Sequence, residues 1–205
     1  MSTNTINLFT WGTTFDSTVV IDDCVYPNRY NITLGFLPKS KNIQDQNIGF
    51  ERFKYLFNTL CENAIIYSPR DKTMPYWFKM PVNKILLPGN PYDQLLGTIL
   101  FEKLNSICGN FFHLGYLTVD SKLGDNIKYT IDNESVKTIE HDTSFWDDEK
   151  IKTWWHRDDT ATFDQRINSK TIWTGAVTWK DLGYETNSVK KQNFNPTVID
   201  GGRKE

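Results

Sequence analysis

An α+β domain is the fold class this sequence predicts: a mainly antiparallel sheet with two amphipathic helices on one face, followed by a Trp-rich irregular C-terminal region. Three observations predict it. Alternating and β-branched stretches cluster at 5–37, and apolar residues recur at helical spacing near 48–63 and 91–108. LGDNIKYTID (123–132) then reads as the turn and return strand of a hairpin. The expected layout is an α+β domain over 1–135, an acidic Trp-rich capping region over 136–180 and an extended arm over 181–205.

Taken in order, Ile6 to Phe15 and Thr18 to Ile21 suit strands because β-branched and aromatic side chains pack well on a pleated surface. Asp22-Asp23 can close a turn, and Pro27-Asn28 reads as a break. Ile32, Leu34 and Phe36 alternate with Asn31, Thr33 and Gly35, the pattern of a half-buried strand. Residues 38–47 read as a polar loop. In the helix expected from Ile48 to Asn63, Phe53, Leu56, Phe57 and Leu60 form the buried stripe, with Glu51, Arg52 and Lys54 outward. Ile65 to Tyr67 and Lys84 to Leu87 read as extended.

The clearest element is a helix over 91–108. Asn90 is a suitable N-cap, Pro91 suits the first helical position, and Asp93 favours the positive end of the helix dipole. Leu95, Leu96, Ile99, Leu100, Leu104 and Ile107 mark the buried side, while Gln94, Glu102, Lys103 and Asn105 fall opposite. Gly109 suggests a left-handed end. Phe111 to Asp120 and Asn126 to Ile131 read as the arms of the hairpin, and from Asp132 onward the periodicity dissolves.

Composition narrows the function. The chain has 205 residues, 39% hydrophobic and 14% aromatic, enough apolar material for a core. Twenty-three basic and 25 acidic residues give a net charge of −2, without the basic excess of a typical nucleic-acid binder. Cys24, Cys61 and Cys108 form no CxxC pair, which argues against a disulfide framework or Cys-rich zinc site and suits a reducing cytoplasm. The first residues lack a signal-peptide pattern and no apolar run reaches membrane-spanning length, so no membrane partner is expected.

The one candidate for chemistry is EHDTSFWDDEK (140–150) with TWWHRDDTATFD (153–164). Imidazoles and carboxylates of His141, Asp142, His156 and Asp158 suit a divalent metal that activates water for phosphoester hydrolysis. Their spacing matches no HExxH helix face and no calcium loop. The alternative is an acidic surface loop whose Trp146, Trp154 and Trp155 anchor it to the domain. There is no GxSxG elbow, P-loop or GxGxxG, and no cofactor is expected. A nucleic-acid module draws on the aromatics and on Lys190, Lys191, Arg203 and Lys204, but the acidic segment before them repels phosphate.

LLPGNPYDQLLG (86–97) and LGDNIKYTID, set in an Asn-, Lys- and Ile-rich composition, resemble small uncharacterised proteins of tailed bacteriophages. The resemblance covers the middle third and rests on packing and turn motifs. It implies a virion or accessory protein in host cytoplasm or particle, with no activity attached. The reading reached is therefore a non-enzymatic protein-interaction or assembly protein that meets a protein partner or its own copies. Trp154, Trp155, Trp173, Trp179 and Tyr184 are the expected contact residues, since aromatic side chains outside a periodic core supply interface anchors. A metal-dependent phosphoesterase or nuclease is the second reading, and a nucleic-acid-binding module the third.

Overall fold

One long antiparallel hairpin, β1 (Phe9–Ile21) and β2 (Cys24–Pro38), begins the chain. The structure, a computed structural model, describes residues 8–72, 80–138, 153–167, 170–172 and 176–185. Asp22 and Asp23 close the hairpin with φ of 51° and 64°, the left-handed pair that a two-residue turn of matching twist needs. The break expected at Pro27-Asn28 is absent, and β2 runs through it. Pro27 is tolerated because the neighbouring strand on that side, Phe112–Ser121, joins β2 only from Tyr30, which leaves an open side where no N–H is required.

Strands β3 (Ala64–Tyr67) and β4 (Lys84–Leu86) extend the sheet from β1 in parallel. Strands β5 (Phe112–Ser121) and β6 (Tyr129–Ile131) extend it from β2 antiparallel, giving the order β4-β3-β1-β2-β5-β6. The register puts Phe15 beside Tyr30, Ile32 beside Val119 and Leu34 beside Leu117, all buried on one face. The other face is polar. There Arg29 grips Asp16 through two bonds of 2.7 and 2.6 Å, and Asn31 donates to Asp120 at 2.6 Å.

Both long helices lie on the apolar face. Helix α1 (Ile43–Tyr55) starts inside the expected 38–47 loop, because Asn42 accepts from the Gln44 N–H and so caps it. Its first turn carries no apolar stripe, which is why periodicity locates only the part from Ile48 onward. Phe53 packs on Phe36 and Phe112. After Tyr55 the backbone widens into a π-helical turn (Leu56–Cys61), and the Glu62 N–H reaches back five residues to the Phe57 carbonyl. Leu56, Phe57 and Cys61 all enter the core through that turn.

Helix α2 (Asp93–Cys108) begins later than expected. Tyr92, not Asn90, is its N-cap residue, and it makes no side-chain cap bond. Gly109 has φ −59° rather than a left-handed value, and its N–H continues the ladder to Asn105. Gly97 lets the helix seat on the sheet: a Cβ there would lie 2.6 Å from both Ile131 Cδ1 and Val119 Cγ1.

Beyond β6, regular structure continues among the described residues. Asp132 caps a short helix, α3 (Asn133–Thr138), by accepting from the N–H groups of Ser135 and Glu134. Trp154–His156 form a 3₁₀ turn over α2, and Gln165–Ile167 pairs with Lys170–Ile172 as a separate hairpin (β7, β8). The Leu86 N–H donates to the Thr162 carbonyl, so part of the capping region covers the β4 edge. Among the described residues no helix is long and apolar enough to cross a membrane.

Candidate functional site

The described part of the acidic, Trp-rich region is a lid of structural contacts over α1 and α2. The Trp154 side chain is 0% exposed and its indole N–H donates to the Leu86 carbonyl at 2.8 Å. Trp155 is also buried and meets Trp154 edge-on with ring centroids 5.6 Å apart. Trp179 is buried against Tyr55 and Tyr184. These three indoles are thus taken up by the chain's own core, which corrects their placement at an exposed interface. The physical reason is that the outer sides of α1 and α2 need covering, and the largest apolar side chains nearby supply it. Tyr184 is half-buried in the same cluster, and Trp173 lies outside the described residues.

Two cations that helical periodicity assigns to solvent hold this lid. Lys103 is 0% exposed, and its Nζ donates to the carbonyls of Trp154 and Arg157, both at 2.9 Å, with Asp159 Oδ1 at 3.6 Å. Burial depresses its ammonium to about 8, against the pull of Asp159. Arg52 is 5% exposed and donates to the carbonyls of Ile107 at 2.6 Å and Tyr184 at 3.0 and 3.1 Å, and to Asp158 Oδ1 at 3.0 Å. Its guanidinium lies 5.0 Å from the Phe111 ring and 4.9 Å from that of Trp179. Desolvating such a charge costs several kcal/mol, and several charge-assisted bonds of about 1.5–3 kcal/mol each offset it.

The candidate metal ligands are divided among these contacts. His156 turns Nε2 to Glu102 Oε2 at 2.9 Å and Nδ1 to Thr153 Oγ1 at 3.0 Å, while Asp158 pairs with Arg52. His141 and Asp142 lie outside the described residues. Among the described residues no group of three or more His, Cys, Asp or Glu is placed to hold a metal ion. Cys108 is buried with its Sγ 3.4 Å from the Gly49 carbonyl, and burial raises its thiol well above the usual range. That environment opposes a thiolate nucleophile.

The feature most open to a partner is the outer edge of β1. The Asn63 N–H donates to the Asp16 carbonyl at 2.7 Å, so even-numbered backbone groups of β1 point away from β2. Strand β3 uses that side only at Ser17–Val19. Among the described residues, no backbone hydrogen bond meets Thr10, Gly12 or Thr14 there, and all three are exposed. From Phe9 to Phe15 the edge reads FTWGTTF, without a charge, a proline or a bulge to blunt it. At its start is an apolar groove of about 300 Å³ walled by Phe9, Trp11, Phe36, Phe50 and Phe112. Phe9 itself is 60% exposed. The sequence carried this signal in the uncharged run, but only the topology shows which side of β1 is left open.

No protein-family model matches the sequence, and no curated protein is found to match it.

Proposed function

We propose that the chain is a non-enzymatic assembly protein that associates with a second copy of itself by pairing β1 edge to β1 edge. The edge from Phe9 to Phe15, uncharged and without a backbone partner on its outer side among the described residues, carries this reading. Antiparallel pairing about a two-fold axis at Gly12 sets Thr10 opposite Thr14 of the other copy in both directions. Threonine pairs across strands are favourable, and the glycine lets the backbones approach. A net charge of −2 offers little repulsion between copies. The pairing satisfies the outward N–H and C=O groups, continues the sheet through the interface and shields Phe9. Such a role suits the virion or accessory setting that the sequence resemblance implies.

The test is the mass in solution of the full chain, by light scattering coupled to size exclusion, for wild type and Thr14→Lys. Thr14 is exposed, so the lysine leaves the core intact while placing like charges at the edge. The expected result is a wild-type dimer and a Thr14→Lys monomer with an unchanged circular-dichroism spectrum. A monomeric wild type, or a variant as dimeric as wild type, overturns the proposal.

A further inference from the structure

At the other end of β1, a cavity of about 260 Å³ lies between the N-terminus of α2, the β1–β2 hairpin and the loop that joins β5 to β6. Its polar end is Asp93, which is 8% exposed. Asp93 Oδ1 accepts from Ser121 Oγ at 2.9 Å, whereas Oδ2 is buried with no hydrogen-bond partner. Gly124 passes so close that a Cβ there would lie 2.4 Å from Oδ2, so the loop is shaped around this carboxylate. The buried Tyr30 hydroxyl, beside the Asn28 side chain, has no hydrogen bond of good geometry either. Asn28 Oδ1 is occupied by the Leu123 N–H at 3.0 Å. The remaining walls are apolar or aromatic, chiefly Ile21, Tyr92, Leu123 and Tyr129.

A buried acceptor without a donor is costly, and most such groups in folded proteins have a partner. No basic side chain among the described residues pairs with Asp93, and a second buried carboxylate, Asp120, is near enough to act on it. A bound anion would face Oδ2, and Asp93 already offsets the helix dipole that favours one. A divalent ion needs several oxygen ligands, whereas Asp93 is the one carboxylate in the cavity lining and Asp120 accepts from Asn31 instead. Three tyrosines and a carboxylate with one oxygen unpartnered favour a cation with several N–H donors, held by charge-assisted bonding and by the ring faces.

We propose that this cavity binds a primary ammonium group carried on an apolar stem, the ammonium donating to Asp93 Oδ2 and Tyr30 and the stem lying along Tyr92, Leu123 and Tyr129. A lysine side chain and a small alkylamine share this chemistry. The site is distinct from the β1 edge, and its test reads a different region.

The full-length protein is titrated with n-pentylamine, n-pentanol and pentanoate, followed by proton–nitrogen correlation spectra at the Asp93, Ser121 and Gly124 amides. The expected result is saturable shifts at those amides with the amine alone. Affinity should fall about tenfold or more in Asp93→Asn, which keeps an oxygen for Ser121 but loses the charge. Tyr92→Ala removes an exposed wall and should weaken binding of the amine, which keeps the test intact if Asp93→Asn misfolds. The same saturable shifts with a short peptide carrying lysine, lost when that lysine's side chain is acetylated, would identify the lysine side chain as the natural form and support the proposal. No saturable shift with the amine, equal binding of the alcohol, or wild-type affinity in both variants overturns it.

Discussion

Lys103 shows how one buried charge ties stability to pH. Its folded ammonium titrates near 8 and an ordinary lysine at 10.5, the shift being set first by burial. Between those values the unfolded chain holds more protons than the folded one, so the contribution of Lys103 to stability rises with pH across that window. Below about 8 the buried charge is a standing cost, on the order of 3 kcal/mol. Buried Tyr30, Tyr67 and Cys61 act in the opposite sense: burial raises each, so their contribution is present below the unfolded values of 10 and 9 and is lost as pH rises past them. Comparing wild type with Lys103→Met cancels those groups. In urea unfolding, the difference should move toward wild type by on the order of 3 kcal/mol from about pH 7 to about pH 10.5. A difference that stays constant over that range contradicts the buried charged lysine.

Among the elements, α2 depends on one small residue. Gly97 faces Ile131 and Val119, both buried, with no room for a methyl group. Alanine in a helix interior gains about 1 kcal/mol over glycine, but overpacking a filled core costs about 1–3 kcal/mol, and stiff Val119 yields little. Gly97→Ala should therefore destabilise the protein, by up to about 2 kcal/mol, as read from the urea midpoint. The helix itself was legible in its leucines and isoleucines, because one face of a 3.6-residue repeat meets the sheet. The fate of Lys103 and Arg52 was not, since periodicity divides a helix into a core side and a water side. Here a third layer covers the second side, and its contacts join residues as distant as Arg52 and Tyr184. The same limit applies to Asp93, which reads as a dipole partner but is enclosed by the β5–β6 loop. The hairpin turn at Asp22-Asp23 was legible, but the continuity of β2 through Pro27 depends on where β5 begins.

Across the whole molecule, Arg52 joins three parts of the chain that are remote in sequence. It binds the end of α2 through Ile107, the 3₁₀ region through Asp158, and the segment 176–185 through Tyr184 and Trp179. The core is one continuous cluster that takes in Trp154, Trp155 and Trp179, and the lid is held to it further by the polar contacts of Arg52 and Lys103. Local opening of such a peripheral layer should cost less than global unfolding. In Arg52→Ala the lid loses its charge-assisted anchor, and the loss exceeds what the departing side chain alone would give because Ile107 and Tyr184 keep carbonyls that had accepted from it. Hydrogen exchange should then rise selectively in 153–164 and 176–185, while amides of β1, β2 and β5 keep their protection. Equal loss across the sheet would mean that lid and sheet unfold as one unit, with Arg52 serving the core rather than the lid.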